Sequence, residues 1–155
     1  MIAMEPIGWV RSARRVTQDD FWGGTSATIV LNETLGEGAL EGIEEFSHAE
    51  IVYYFDKVDP EKVVRTGRRP RGNPDWPSVG ILAQRGKDRP NRIGATIVRI
   101  VKREGRALEV ADLDAIDGTP VLDVKPVMRE FLPREPVRQP QWATELMRKY
   151  WAVRD

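Results

Sequence analysis

Cysteine is missing from this sequence, and histidine occurs once, at His48. Without thiols the chain has no disulfide, no thiolate metal centre and no cysteine nucleophile, and one imidazole cannot build a multi-histidine site. The acidic residues also lack the spacing of a calcium-binding loop, so we expect no metal cofactor. No nucleophile elbow or catalytic triad surrounds His48, and we expect this histidine to be structural.

Long apolar runs and nucleotide-binding glycine motifs are missing as well. No stretch approaches the roughly 18 apolar residues of a membrane span, and residues 1–12 lack the apolar core of a secretory signal. Neither G-x-G-x-x-G nor a P-loop occurs, which argues against a Rossmann or Walker-type site. At 155 residues we expect one cytoplasmic domain that has no membrane partner and needs no covalent staples.

The formal net charge of zero hides an uneven distribution of charge along the chain. Residues 62–106 hold 13 Lys and Arg against three acidic residues, a net of +10, so the remainder carries −10. Clustered arginines favour an anionic partner. Alternatively, these charges lie on solvated strand faces and pair with the acidic remainder, because separation in sequence does not require separation in space.

Short runs rich in Val, Ile and aromatic residues, bounded by Gly, Pro, Asp or Asn, dominate the chain. They predict eight β-strands, at residues 6–11, 27–31, 49–55, 62–66, 79–83, 95–101, 107–111 and 121–124. This spacing is typical of an all-β sheet or barrel. Residues 102–106 predict a hairpin loop in which Gly105 is free to adopt a positive φ, and residues 36–46 predict a short helical turn.

The C-terminal residues differ in character from the strands. Three prolines interrupt residues 132–140, which we expect to form an extended strap. Residues 141–151 predict a helix with Trp142, Leu146, Tyr150 and Trp151 on or near one face. These aromatic side chains need a partner surface, either the chain's own barrel or a second subunit.

Three loops carry the side chains best suited to binding. Residues 85–94 crowd polar and charged groups around Pro90, which suits an anionic ligand or makes an ordinary basic surface loop. Residues 117–120 have the sequence of a turn. Together with Asp112 and Asp114 they could hold a zwitterion or ribose hydroxyls. Alternatively, Asp112 and Asp114 face solvent along a strand. Residues 21–24, Phe-Trp-Gly-Gly, either cover an adenine ring or plug the core.

At these loops the sequence resembles the TsaA-like (TrmO) family of S-adenosylmethionine-dependent methyltransferases. The matching segments run in order along nearly the whole chain: residues 7–12 (IGWVRS), 46–48 (FSH), 69–72 (RPRG), 79–85 (VGILAQR), 89–94 (RPNRIG) and 117–126 (DGTPVLDVKP). The resemblance implies a mainly β fold, a single-domain β-barrel at residues 1–131 that works as a homodimer. A strap and short C-terminal helix, residues 132–155, would pack on the barrel or at the dimer interface.

The resemblance also implies a reaction, the N6-methylation of threonylcarbamoyl-adenosine next to the tRNA anticodon, with S-adenosylmethionine as the cofactor. Carried over position by position, it gives the cofactor-binding residues as Trp22, Gly23, Gly24, Asp56, Lys57, Arg85, Asp117, Gly118, Thr119 and Pro120. For the acceptor we expect contacts from Arg68, Arg69, Arg71, Arg89, Asn91 and Arg92. Methyl transfer from a sulfonium is an in-line displacement in which positioning dominates, and no catalytic base is assigned.

The sequence departs from the family pattern at the loop expected to meet the acceptor. The usual Asn-Pro-Ile-Gly is Asn91-Arg92-Ile93-Gly94, and the extra C-terminal domain of the longer members gives way to the predicted helix. Two alternatives therefore stand beside tRNA methylation. One is a methyltransferase of the same fold that acts on a small metabolite, and the other is a noncatalytic barrel that binds RNA or a nucleotide.

Overall fold

Alternating apolar and polar side chains shape the strands of this protein, of which a computed structural model describes residues 1–154. In the strand His48–Tyr54 the side chains of Ala49, Ile51 and Tyr53 are buried, and those between them are partly exposed. This two-residue period turns one face of the strand towards a core. The strands are β1 (Gly8–Ser12), β2 (Ser26–Leu31), β3 (His48–Tyr54), β4 (Gly67–Arg68), β5 (Val79–Gly80), β6 (Ile93–Glu104), β7 (Ala107–Ala111) and β8 (Pro120–Pro126), and the α-helix is α1 (Gln141–Leu146).

Six of these strands close into an antiparallel barrel in the order β1, β2, β7, β6, β3, β8. Strand β3 pairs with β6 along its whole length, from His48 opposite Arg99 to Tyr54 opposite Ile93. It also pairs with β8, where the register shifts just before Tyr53. The two-residue strands β4 and β5 form a separate ribbon. The expected mainly β fold, a β-barrel with a short C-terminal helix, is confirmed.

Aliphatic side chains from every strand of the barrel fill its interior. The residues with 0% exposure include Val10, Ile29, Ile51, Val98, Leu108, Val110 and Val121. Burying each such side chain contributes roughly 1.5–3 kcal/mol before the entropy of folding is counted. A small barrel with a packed interior has no room for a ligand inside, so the binding residues belong to its ends and outer surface.

Three connections leave the barrel at the same end, which we call the loop end. Strands β1, β3 and β7 finish there and β2, β6 and β8 begin there, so residues 13–25, 55–92 and 112–119 meet. The opposite end carries residues 32–47, with the predicted helical turns at Glu37–Leu40 and Ile43–Glu45. It also carries the predicted hairpin loop, where Gly105 has a φ of +58°.

Two of the predicted strands are wrong or too long. Residues 62–66 form no strand, because Val64 makes a single backbone hydrogen bond, to Asp88, instead of joining a ladder. In residues 79–83 only Val79–Gly80 is a strand, and Ile81–Ala83 forms a 3-10 turn that buries Ile81 and leaves Leu82 78% exposed. Apolar composition predicted both strands but could not reveal that residues 62–66 and 81–83 lack a pairing partner.

The C-terminal helix is shorter than the predicted 141–151, because α1 ends at Leu146. Beyond it, the carbonyl oxygens of Lys149 and Tyr150 accept the N–H groups of Phe21 and Trp22 at 3.1 and 2.8 Å. In this segment the N–H groups of Arg148, Tyr150 and Ala152 donate to carbonyls three residues earlier, so tighter turns replace the α-helical pattern. The preceding strap is exposed throughout residues 129–141. No helix within residues 1–154 has the length and apolar character needed to cross a membrane.

Candidate functional site

The loop end of the barrel holds every residue that the sequence predicts for the cofactor. The connection between β1 and β2 carries Trp22, Gly23 and Gly24. The connection between β3 and β6 carries Asp56, Lys57 and Arg85, and the junction of β7 and β8 carries Asp117 to Pro120. His48 lies at the opposite end, where its Nδ1 is 2.6 Å from the Ser47 hydroxyl. The fold thus gathers segments nearly 100 residues apart into one region, and their binding of the cofactor stays a prediction.

Trp22 is a buried plug under the C-terminal segment. Its side chain is 3% exposed, its indole N–H donates to the Gln18 carbonyl at 3.2 Å, and the Arg14 guanidinium stacks on the ring at 4.7 Å. A Cβ at Gly23 would lie 1.9 Å from the carbonyl oxygen of Trp151. Of the two interpretations left open by the sequence, the side-chain burial favours the core plug, and Gly23 permits the close approach of the C-terminal segment.

Asp112 connects the end of β7 to the same glycine pair. Its carboxylate accepts the Gly24 N–H at 2.7 Å, and its own N–H donates to the Thr25 carbonyl at 2.8 Å. Both Asp112 and Gly24 have positive φ, +68° and +74°. A positive φ is strained for a residue with a side chain. The two hydrogen bonds hold Asp112 in this conformation.

The Asp117 to Pro120 segment is a tight turn docked onto β1. One carboxylate oxygen of Asp117 accepts the Ser12 N–H at 3.0 Å, and the Gly118 N–H donates to the Val10 carbonyl at 2.7 Å. Gly118 has a φ of +83°, which explains the need for glycine. The Thr119 hydroxyl closes the turn by donating to the Ile116 carbonyl at 2.7 Å. The turn leaves the second oxygen of Asp117 without a hydrogen-bond partner within residues 1–154.

Arg85 is an exposed cation at the loop end of the barrel. Its Nη2 donates to the Ala95 carbonyl at the start of β6 at 2.5 Å, and its other nitrogens have no acceptor among the described residues. Leu82, three residues earlier, exposes an apolar side chain. Asp56 and Lys57 follow β3, with 3.8 Å between carboxylate and ammonium. The site therefore offers separate cationic, anionic and apolar groups.

Asp114 is the centre of a hydrogen-bond network that the sequence identified only as one of several aspartates. Its Oδ1 accepts the hydroxyls of Tyr53 at 2.9 Å and Thr96 at 2.5 Å, and its Oδ2 accepts the hydroxyl of Tyr150. The network joins β3, β6, the β7–β8 loop and the C-terminal segment. In the sequence, Asp112 and Asp114 alternate with Leu113, and this pattern does not determine where either carboxylate points. In the structure Leu113 is fully buried.

The two tyrosines of this network act as hydrogen-bond donors. Burial, followed by the nearby Asp114 carboxylate, raises the pKa of Tyr53 and of Tyr150 well above the ordinary tyrosine value. Both hydroxyls therefore keep their protons at neutral pH. Because both oxygens of Asp114 already accept hydroxyls, this cluster supplies positioning and not a free proton acceptor.

The arginines predicted for the acceptor all have partners within the protein. Arg68 pairs with Asp88 at 2.8 Å and Arg71 with Asp20 at 3.1 Å. The other three bind carbonyl oxygens: Arg69 those of Pro74 and Trp76, Arg89 that of Gln84, and Arg92 that of Val58. These arginines thus help to hold the loops in place, although of the five only Arg71 pairs with an acid outside residues 62–106. Their contacts with the acceptor stay a prediction.

The turn that departs from the family pattern is strained. Asn91 and Arg92 have φ values of +63° and +50°, an uncommon conformation for residues other than glycine. The Arg92 N–H donates to the Arg89 carbonyl at 3.0 Å, and its guanidinium lies 4.8 Å above the Tyr54 ring. Asn91 itself is exposed, and strain of this kind is often found in binding loops.

Comparison with known proteins agrees with this architecture. Residues 14–131 match the family described as the tRNA-methyltransferase O N-terminal domain. A crystal structure of TrmO from P. aeruginosa superposes with a TM-score of 0.74 and 26% identity, covering 92% of this chain and 62% of that one. The fold and the match together define a β-barrel protein of the S-adenosylmethionine-dependent methyltransferase class. The chain belongs to the TrmO family, and the resemblance inferred from its sequence is confirmed.

Curated relatives carry names of the same kind. A probable S-adenosyl-L-methionine-binding protein of Pyrococcus abyssi is 34% identical over 160 residues, which cover 100% of this chain and 83% of the relative. The human tRNA (adenine(37)-N6)-methyltransferase is 36% identical over 104 residues, or 67% of this chain and 23% of that enzyme. The sequence predicted a methyltransferase with S-adenosylmethionine as cofactor, and the names of these relatives agree with both.

Proposed function

We propose that this protein transfers a methyl group from S-adenosylmethionine to N6 of an adenosine in tRNA, with threonylcarbamoyl-adenosine next to the anticodon as the acceptor. The observation that carries the proposal is the convergence of the predicted cofactor segments at the loop end of a barrel of the TrmO family. The names of the human and mouse relatives, tRNA (adenine(37)-N6)-methyltransferase, support the choice of acceptor.

The chemical groups at the loop end fit the cofactor. The free donors of Arg85 suit the carboxylate of its methionine moiety, since a guanidinium binds carboxylates through two parallel hydrogen bonds. The unpartnered oxygen of Asp117 suits the amino group or a ribose hydroxyl. The exposed side chain of Leu82 offers apolar surface for the adenine ring. When bound, the cofactor supplies the methyl group as an electrophile.

The protein's part in the reaction is to position the two reactants and exclude water. Arg85 and Asp117 would hold the cofactor, which would supply a methyl group to N6 in exchange for an N6 proton and leave as the neutral thioether. In-line alignment lowers the barrier by converting a bimolecular encounter into a positioned one. The Asp114 network stiffens the loops on which that alignment depends, because it ties four separate elements together. We assign the final proton to solvent and not to Tyr53 or Tyr150.

We also propose that the protein acts as a homodimer in the cytoplasm, where its tRNA acceptor is found. The strap supports the dimer, since its Leu132 and Val137 are 40% and 74% exposed, and Phe131 just before it is 86% exposed. Isolated apolar residues are normal on protein surfaces, but several on one extended segment indicate a contact. Light scattering that gives the mass of a monomer at micromolar concentrations would contradict this part of the proposal.

The function is tested by methyl transfer from labelled S-adenosylmethionine into purified tRNA. The acceptor is tRNA from cells that lack this methylation, and the matched control is the same tRNA without the threonylcarbamoyl group. We expect label in the modified adenosine of the first tRNA and none in the second. Label in a small-molecule extract, with none in either tRNA, would assign the protein to a metabolite acceptor.

A further inference from the structure

A basic groove lies beside the candidate site, between the β1–β2 loop and the C-terminal segment. The two segments are joined where Phe21 and Trp22 donate to the carbonyls of Lys149 and Tyr150. They enclose a hollow of about 390 Å³ lined by Ala13, Arg14, Arg15, Val16, Gln18 and Arg154. With Arg148 and Lys149 on the same C-terminal segment, the two segments contribute five basic side chains. The rest of this chain's known and proposed function leaves the groove unused.

The guanidinium groups in the groove are held by aromatic rings. Arg14 stacks on Trp22 at 4.7 Å, and Arg154 stacks on Phe21 at 4.9 Å. Stacking fixes the plane of a guanidinium and leaves its edge available for hydrogen bonds. Arg14 Nη2 donates to the Phe21 carbonyl, while Arg14 Nη1 is buried and has no hydrogen-bond partner within residues 1–154. A buried donor without an acceptor costs free energy, which a bound anion would recover.

Arg15 and two basic residues of the C-terminal segment are less committed to the protein than Arg68 and Arg71 of the basic segment. Arg68 and Arg71 are neutralised by Asp88 and Asp20. Arg15, Arg148 and Lys149, by contrast, form no ion pair or side-chain hydrogen bond with residues 1–154 and are exposed. Free arginines and lysines bind phosphates with little competition from internal partners.

We propose that this groove, lined by Arg14, Arg15 and Arg154, binds the phosphate backbone of the RNA acceptor beside the methyl-transfer site. The inference rests on the proposed RNA-directed function. An extended polyanion fits better than a single small anion, because the basic side chains come from two segments and surround an open hollow. Contacts to phosphates fix the orientation of a nucleic acid without reading its sequence. The groove would therefore orient the anticodon arm, while the loop end receives the target base.

The test measures binding of an unmodified tRNA transcript, without catalysis, as a function of salt. The variant combines Arg15→Glu with Arg154→Glu, two exposed arginines that line the groove. The matched control combines Arg99→Glu with Arg138→Glu, two exposed arginines outside it. We expect the groove variant to bind tRNA at least about tenfold more weakly and to lower the salt slope by about 2, since each lost phosphate contact releases about one counterion fewer. The control should match the wild type. Equal melting temperatures and equal S-adenosylmethionine affinity will show that both variants are folded.

The outcomes separate this inference from the function it rests on. If wild type, control and groove variant bind tRNA equally, the groove inference is wrong and RNA methylation stands. If the wild type binds no tRNA while it still binds S-adenosylmethionine, both the groove and the RNA acceptor are rejected. A competition experiment, in which adenosine monophosphate is added to the tRNA complex at the same total phosphate concentration, distinguishes a site for a single nucleotide from a site for a polyanion. Complete displacement of tRNA by that nucleotide would overturn the polyanion assignment.

Discussion

Tyr150 donates its phenolic hydrogen to Oδ2 of Asp114, a residue 36 positions earlier in the chain. Through this bond the C-terminal segment is fastened to the loop end, next to the turn that carries Asp117. Tyr53 and Thr96 hold the other oxygen of the same carboxylate. The arrangement lets a segment outside the barrel control the geometry of loops that form the candidate site.

Removing the Tyr150 hydroxyl should loosen the C-terminal segment. Tyr150→Phe keeps the ring and deletes one hydrogen bond to a charged acceptor, for which we expect a loss of about 1.5–3 kcal/mol in the free energy of unfolding. Tyr54→Phe is the control, because the Tyr54 hydroxyl makes no hydrogen bond within residues 1–154. Urea denaturation measures both. Equal effects of the two substitutions would show that the Asp114 contact contributes nothing.

The same tyrosines predict a loss of stability in alkali. Their pKa values are raised in the folded protein, so above about pH 10 the unfolded chain releases protons that the folded chain keeps. The stabilisation is complete below about pH 10 and declines as the pH rises beyond it, by up to about 1.4 kcal/mol per pH unit for each tyrosine. Unfolding curves between about pH 8 and pH 11 will show this decline. It should be shallower in Tyr150→Phe, and an identical slope would contradict the assignment.

Arg85 should contribute to cofactor binding and little to stability. Arg85→Ala removes an exposed guanidinium with one hydrogen bond to a backbone carbonyl, so the free energy of unfolding should change by less than about 1 kcal/mol. Affinity for S-adenosylmethionine should fall by about 1–3 kcal/mol, measured by calorimetry. Arg99→Ala, an exposed arginine on β6, should leave that affinity unchanged. Undiminished affinity in Arg85→Ala would remove this residue from the cofactor site.

Restoring the usual family proline at position 92 should destabilise this protein. Proline fixes φ near −65° and has no N–H, whereas Arg92 has a φ of +50° and donates its N–H to Arg89. We expect Arg92→Pro to cost at least about 2 kcal/mol, more than Arg92→Ala, which loses the side-chain contacts but keeps the N–H. Thermal unfolding compares the two. A proline variant as stable as the alanine variant would mean that the turn adopts another conformation.

The sequence predicted most of the barrel, because strands such as residues 27–31 and 107–111 combine β-branched residues with clear turn signals. It failed at residues 62–66, where two valines are half-buried without a neighbouring strand. For the site, composition located the loops but not the direction of their side chains. Arg68 and Arg71, which we expect to face the acceptor, pair with acids 20 and 51 residues away, and their contact with the acceptor stays a prediction. Asp114 could not be singled out, because its three donors come from distant segments.

The most direct test of the central claim is hydrogen exchange of the backbone amides with and without S-adenosylmethionine. If the loop end is the methyl-transfer site, the cofactor will slow exchange in residues 82–94 and 112–120. Exchange around His48 and Val127, at the opposite end of the barrel, should stay the same. Protection confined to that opposite end, in a protein shown to bind the cofactor, would contradict the assignment of the site.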